Sequence, residues 1–397
     1  MTAHYTMERL KTIAGVGGAL ERIYEGLNHA PSPTTFPQGT AILHGCLPLL
    51  MGEVPAEELI QRVGQQKYTR WRDLHRQSTL LNLWYGLELK LVLEAAREAH
   101  LPVMVLKGAD LAFTLYADPE QRHFSDIDLM VKPEHLAAFI ALLERLGYRY
   151  HQEYRFEAIS QKRAAFVYTK EVAAGYLVFE VHTSPHSNEM GVSFDVAGLW
   201  ERSRTIVAAG VPAAGMSLED LLLYLCWHFR SHAFDRLIWL YDIAVVLQNC
   251  ADDLDWTLLY RLARTQRLVS TLYYCLRWAE QVFGVSLSKN AELERFKPPA
   301  LIQKLIRRYA GDDFIPVMKR SARRKQKLLQ RLMVDNLWQL CTMPLHVIFP
   351  SPTHLGRLYM EQSHLPVRLY WLFYFLHPFI LLKAFVTKSP ASTASKK

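Results

Sequence analysis

The sequence has 397 residues, of which 50% are hydrophobic and 21% charged, with 19 glycines and 19 prolines. Such a composition suits a globular chain of two or three domains and excludes collagen-like, low-complexity and wholly disordered proteins. The net charge is +8, yet Lys304–Lys327 alone carries nine cations (Lys304, Arg307, Arg308, Lys319, Arg320, Arg323, Arg324, Lys325, Lys327) against Asp312 and Asp313, so the remainder is close to neutral.

The first hundred residues read as helical. Met7–Asn28, Thr40–Met51 and a long amphipathic stretch, Glu57–His100, are the predicted segments, with Leu80, Leu83, Trp84, Leu87 and Leu91 recurring at helical spacing. The opening MTAHYTMERLKTIAG lacks the apolar core of an export signal. The five cysteines are scattered, odd in number and without a CxxC pair, so a soluble protein of the reducing cytoplasm is expected.

From Leu101 the period changes. Val103–Lys107 predicts a buried strand, Ala109–Tyr116 a short helix and Ser125–Val131 a strand alternating at period two. Pro133 opens a helix over Glu134–Leu146, which Gly147 ends. Strand-like pieces follow at Tyr148–Tyr154, Ala165–Thr169 and Leu177–His182. Beyond Ser217, an acceptable N-cap, the chain turns helical again: Leu221–Gln248, Asp255–Phe283 and Pro298–Ala310. The expected class is α+β, a small mixed-sheet core embedded between helical regions. Its parts are an N-terminal helical region (1–100), the α/β core (101–215), a helical domain (216–310) and a basic, aromatic C-terminal segment with a disordered tail (311–397).

The informative chemistry lies in LKGADLAFTLYADPEQRHFSDIDLMV. On a strand, Asp126 and Asp128 leave the same face, while Ile127, Leu129 and Val131 point into a core. Neighbouring carboxylates repel unless a cation sits between them, so this pair is a natural cradle for Mg²⁺. Gly108, between a strand and a helix, lets backbone amides approach phosphate oxygens, and Lys107 sits beside it. Glu180 and His182 share one face of a later strand. If that strand pairs beside Ser125–Val131, three carboxylates converge on a site able to hold two divalent ions.

The order strand, glycine, helix, loop, hydrophobic-Asp-hydrophobic-Asp-hydrophobic, then a carboxylate on a later strand resembles the DNA polymerase beta-type nucleotidyltransferase superfamily. It is similar in particular to one bacterial branch, the uncharacterised nucleotidyltransferase family 5. The stretches that carry the resemblance are VLKGADLAFTLYADPEQRHFSDIDLMV, FEVH, LYLCWHFRSHAFDRLIWLYDIAVVL and FPSPTHLGRLY, within roughly Leu80–Lys383. The resemblance implies Mg²⁺-dependent (or Mn²⁺-dependent) transfer from an NTP, with Asp126, Asp128 and Glu180 as metal ligands and catalytic carboxylates. Glu180 then serves as general base, Gly108 and Ser125 meet the donor, Lys107 meets it or forms a structural ion pair, and Arg122 offsets its charge or forms a structural ion pair. Where the superfamily has Gly-Gly or Gly-Ser, this chain has Lys107-Gly108-Ala109, so a phosphate-holding hydroxyl is missing. The acceptor is a small molecule, saccharide or peptide.

His228, His232 and Arg236 recur at i, i+4, i+8 and are expected on one helix stripe, as buried or capping histidines or as a polar wall contacting substrate. Phe229 follows His228, so the HExxH zinc pattern is absent. His182 either orients Glu180 or touches substrate. The basic run reads as a solvated helix face; without interleaved aromatics it gives no support for nucleic acid. Leu369–Leu382 is fourteen residues, about 21 Å of helix against a hydrocarbon core of about 30 Å, and Pro378 interrupts it. A buried closing helix is the preferred reading, a membrane-peripheral anchor the other. The leading function is therefore nucleoside monophosphate transfer to a hydroxyl or phosphate. Sugar or phosphoryl transfer from a nucleotide-activated donor, and a non-catalytic membrane-peripheral adaptor, are the alternatives.

Overall fold

The computed structural model describes residues 45–151, 165–173, 175–185, 192–287, 290–311, 323–336, 338–339, 348–349, 355, 359 and 371–387. The predicted helix Met7–Asn28, most of the PSPTHLGRLY stretch and residues 388–397 of the tail lie outside them. Two compact units result, Met1–Tyr150 with Ala165–Asp335, and His151–Ala164 with Asn336–Lys397.

In the first unit, helices α1 (Leu47–Glu53), α2 (Ala56–Val63) and α3 (Gln65–Glu98) come first. The single helix expected over Glu57–His100 is divided at Gly64, whose φ of +83° is the left-handed conformation that glycine adopts without penalty. The apolar residues that mark the 34-residue α3 in the sequence divide, Trp84 packing against the core and the leucines facing outward. Leu80, Leu83, Leu87 and Leu91 are exposed, and the buried face is Tyr85, Leu89, Val92, Leu93 and Ala96 together with Asn82 and Glu88.

The sheet has seven strands in the order β3-β4-β5-β2-β1-β7-β6: β1 Val103–Val105, β2 Ile127–Val131, β3 Arg149–Tyr150, β4 Ala165–Val172, β5 Gly175–His182, β6 Arg204–Ala208 and β7 Val211–Gly215. Helix α4 (Lys107–Thr114) connects β1 to β2, which lie antiparallel, and α5 (Leu136–Arg145) follows β2 after a short 3₁₀ turn. The central pair β2 and β5 runs parallel, and β7 joins β1 in parallel on the other side. This is a mixed sheet in an α+β fold, as the sequence implied. The hairpin β6–β7 and helix α6 (Val196–Glu201) are additional. Alternation on the central strands sends Ile127, Leu129 and Val131 with Leu177, Phe179 and Val181 into one core with α3 and α5 residues, including Val92, Phe139 and Leu143. Asp128, Glu180 and His182 therefore leave by the opposite face.

The helical region contains α7 (Leu218–Ser231), α8 (Leu237–Cys250), α9 (Trp256–Gln266), α10 (Val269–Phe283), α11 (Asn290–Glu294), α12 (Ala300–Ala310) and α13 (Arg323–Leu332). Ser217 caps α7 by accepting from the Asp220 amide, as expected. The helices predicted over Leu221–Gln248 and Asp255–Phe283 are each two. The first breaks at Ala233 and Phe234 and the second at Arg267, all with positive φ. The buried Phe234 explains the first break: its ring packs edge-on against Phe229 and Trp278, and core packing overrides the continuous helical pattern. Lys304, Arg307, Arg308, Arg324, Lys325 and Lys327 lie on exposed faces of α12 and α13, opposite buried Ile302, Ile306 and Leu329. Cys46, Cys226, Cys250 and Cys275 are buried and in no disulfide.

In the second unit, α14 (Leu372–Thr387) carries Pro378 internally. His377 is buried and its Nδ1 meets the Tyr359 hydroxyl, but Trp371, Phe375, Leu376, Phe379 and Ile380 are exposed. The preferred expectation of a fully buried closing helix does not hold for that face. Among the described residues no helix is long and apolar enough to cross a membrane.

Candidate active site

Register builds the site. The parallel pairing of β2 with β5 sets Asp128 directly opposite Glu180 and Met130 opposite His182. The carboxylates of Asp128 and Glu180 and the His182 imidazole offer ligand atoms that all lie within 4.8 Å of one another. His182 Nε2 is 2.9 Å from Asp128 Oδ1 and 3.6 Å from Glu180 Oε2. Asp126 lies in the bend just before β2, outside that group, where its Oδ1 accepts from the Ser125 hydroxyl at 3.1 Å. Its charge is felt at the centre: after burial and the Asp128 charge it adds to the raising of the Glu180 carboxyl, and after Asp128 it supports the Lys107 ammonium.

Lys107 opens α4, and the amide of Leu106 before it donates to the Asp128 carbonyl at 3.0 Å, fixing this turn against β2. The Lys107 Nζ donates to Asp128 Oδ1 at 2.7 Å and lies 5.9 Å from the centre of the Tyr224 ring. Burial alone would raise Asp128, but Lys107 and His182 outweigh it and hold its carboxyl below the usual carboxylate range. Glu180 moves the other way, raised by burial and by the Asp128 charge. Two carboxylates side by side are thus pushed apart, one held firmly ionised and the other a stronger base than an ordinary glutamate.

The donor set fits a divalent ion of the Mg²⁺ or Mn²⁺ kind: two carboxylates and an imidazole, with the other ring nitrogen, His182 Nδ1, buried and without a hydrogen-bond partner.

Arg122 is placed below this turn. Its Nε and Nη2 each donate to the Asp242 carboxylate at 2.8 Å, and Nη1 donates to the His123 carbonyl. A Cβ at position 108 would stand 3.2 Å from the guanidinium, so any larger residue there would press the arginine back by a few tenths of an ångström. Of the two roles left open for Arg122, the ion pair is the one these contacts serve. Asp242 went unassigned in the sequence, although a carboxylate inside the apolar LIWLYDIAVVL demands a buried partner. Tyr85 and Asn82 were missed too. The Tyr85 hydroxyl donates to the Ser125 carbonyl and accepts from the Val178 amide, joining β5 to the segment before β2. Asn82 donates to the Arg122 carbonyl. Both lie between the apolar positions by which α3 was recognised, and nothing local marks them.

His228, His232 and Arg236 do not share one helix stripe: His232 caps the end of α7 and Arg236 precedes α8. The turn nevertheless gathers them. The two imidazole rings are 4.6 Å apart, Trp239 packs against both, and Arg236 lies 5.3 Å from the Trp239 ring. Burial first, then the Lys107 charge, pushes the buried His228 well down, and His232, exposed at the end of α7, is lowered in the same direction.

The profile of the family described as uncharacterised nucleotidyltransferase matches residues 39–284, more than half of the chain. The chain belongs to that nucleotidyltransferase family. The matched residues hold the whole carboxylate–histidine group, Lys107, Arg122 and the His228–Trp239 cluster. No curated protein matches the chain. Among solved structures, it is similar to ANT(2")-Ia in complex with adenylyl-2"-tobramycin, at 19% identity and a TM-score of 0.33, over 46% of this chain and 97% of that one. It is also similar to an antigenic nucleotidyltransferase-like protein from Paracoccidioides brasiliensis, at 13% identity and a TM-score of 0.32, over 53% and 92% of the two chains.

One pH dependence of this nucleotidyltransferase follows from His123, whose Nδ1 pairs with Asn82 Oδ1 at 2.9 Å. Burial, then the charges of Arg122 and Arg236, push its imidazole down to about 4. The unfolded chain takes up a proton near the ordinary histidine value of about 6.5, whereas the folded chain resists until pH 4. The stability this neutral ring contributes is therefore complete above pH 6.5 and lost as the pH falls toward 4. His123→Gln, which keeps an amide donor for Asn82, is expected to remove at most about 2 kcal/mol of the stability lost between pH 7 and 5. Urea midpoints at the two pH values check it; parallel losses in wild type and variant contradict it.

Proposed function

We propose that the chain transfers a nucleoside monophosphate from an NTP to a hydroxyl of a small acceptor, releasing pyrophosphate. One observation carries the reading: the β2–β5 register that sets Glu180 and His182 beside Asp128, at the start of the helix that begins with Lys107-Gly108. Asp128, Glu180 and His182 would hold a divalent ion, which when bound offsets the negative charge of the phosphates. Lys107 and the first amides of α4 receive the phosphate chain. Glu180, whose side chain is 30% exposed beside the buried Asp128, is the carboxylate an acceptor hydroxyl can reach and takes its proton. The neutral wall of His228, His232 and Trp239 suits an uncharged, hydroxyl-bearing acceptor ring, with Arg236 at its rim.

Calorimetric titration with ATP, CTP, GTP and UTP, each with and without Mg²⁺ or Mn²⁺, tests the reading. Binding of at least one NTP that requires the divalent ion is expected. If none binds and a nucleotide-sugar does, group transfer from that donor replaces it.

The exposed α14 face favours a membrane-peripheral location as an addition to this activity. From Arg368 to Lys397 the sequence has five cations and no Asp or Glu, and Trp371, Phe375 and Phe379 project on one side. Aromatic rings flanked by cations match an anionic bilayer surface. Phe375→Ser/Phe379→Ser is expected to reduce co-sedimentation with phosphatidylserine-containing liposomes several-fold; wild type that stays in the supernatant rejects the location.

A further inference from the structure

The left-handed backbone at the site belongs to the wrong residue for comfort. Lys107 has φ +50°, while Gly108 next to it is absent from the positive-φ residues and lies close against the Arg122 guanidinium. A side chain with a Cβ adopts this conformation at a cost that glycine escapes. A lysine kept where glycine would be relaxed points to a use for the ammonium itself.

That use is visible in its partner. Lys107 Nζ, at 2.7 Å, and His182 Nε2, at 2.9 Å, converge on the same atom, Asp128 Oδ1. The ammonium donates to one of that oxygen's two lone pairs, and the imidazole nitrogen stands against the same atom. The Lys107 side chain is only 16% exposed, so its charge is held at the carboxylate rather than dispersed in water. Glu180 stands opposite Asp128 in the ladder, and Asp126 adds a further negative charge.

We propose that Lys107 is an internal counter-cation of the metal site: its ammonium competes with a divalent ion for Asp128 and so sets how tightly that ion is held. The inference rests on the reading of Asp128, Glu180 and His182 as a metal site. Two like charges cannot both be neutralised by one oxygen at contact distance, so each weakens the other's hold. An ammonium released from Asp128 is a ready partner for phosphate, which links loading of the ion to capture of the donor.

Mn²⁺ binding followed by the loss of the free-ion EPR signal, without nucleotide, tests it on the full chain. Lys107→Met removes the charge and keeps the stem; Lys107→Gly removes the charge and relaxes the backbone. Both are expected to bind Mn²⁺ about tenfold more tightly than wild type. Mn²⁺ is also expected to raise the melting temperature of both variants more than that of wild type, a readout that survives if one variant folds poorly. Equal or weaker Mn²⁺ binding by the variants overturns the competition while leaving the metal site in place. Failure of all three proteins to bind Mn²⁺, or undiminished binding by Asp128→Asn, overturns the metal site and the competition together.

Discussion

Asp128→Asn is expected to reduce nucleotidyl transfer by about a thousandfold or more, and to destabilise the protein as well. The first effect follows from losing the carboxylate shared by the whole centre; removing one group aimed at developing charge commonly costs a factor of a hundred to a thousand, and here the proposed ion is lost with it. The second follows from burial. Asp128 is 5% exposed and neutralises Lys107, whose ammonium would then face an amide. Breaking a buried pair by removing one partner costs about 3–5 kcal/mol, softened here because Asp126 and Glu180 remain near Lys107.

The two effects can be separated. Lys107→Met combined with Asp128→Asn removes both charges, so the double variant should recover much of the stability lost by Asp128→Asn, since no unpaired ammonium is left. It should recover none of the transfer. Denaturant midpoints and pyrophosphate release on the four proteins of this cycle check it. Equal transfer by wild type and Asp128→Asn would remove Asp128 from the chemistry.

The strands that build this centre were legible because they are buried on one face. Alternation at period two is forced on Ile127–Val131 and Leu177–His182, and it separates Asp128, Glu180 and His182 from the core residues between them. What the sequence left open was their pairing, a long-range contact that local pattern does not encode. The helical parts were harder for two different reasons. On α3 the obvious leucine stripe faces solvent, and the packed face relies on polar groups whose partners are distant: Glu88 accepts from Lys170 at 2.8 Å and from the Tyr148 hydroxyl at 3.0 Å. At 232–236 there is no glycine or proline to announce a turn; the burial of Phe234 makes it. The hairpin β6–β7 escaped because RTIVAAGVPAAG is rich in alanine, glycine and proline, residues poor in strand preference. It is held by its neighbours instead, with Arg204 donating to the buried Asp110 of α4 at 2.8 Å.

Arg122→Met is expected to destabilise the first unit by about 3–5 kcal/mol, because it takes the paired cation from the Asp242 carboxylate, 1% exposed, which the Tyr116 hydroxyl also contacts at 2.7 Å. Arg122→Lys should recover little, since an ammonium cannot reproduce the two parallel hydrogen bonds of the guanidinium. Arg122→Met with Asp242→Leu should be far less destabilised than either single change, as no buried charge is left without its partner. Tyr116 then loses its acceptor, which limits the recovery. The same cycle separates positioning from substrate contact. If Arg122 serves by propping the Lys107-Gly108 turn, the double variant should keep its affinity for the NTP within a few-fold while the rate of transfer falls, because the turn loses its support and the phosphates are held less well aligned. A loss of NTP affinity as large as that of Lys107→Met would instead place the guanidinium on the donor itself.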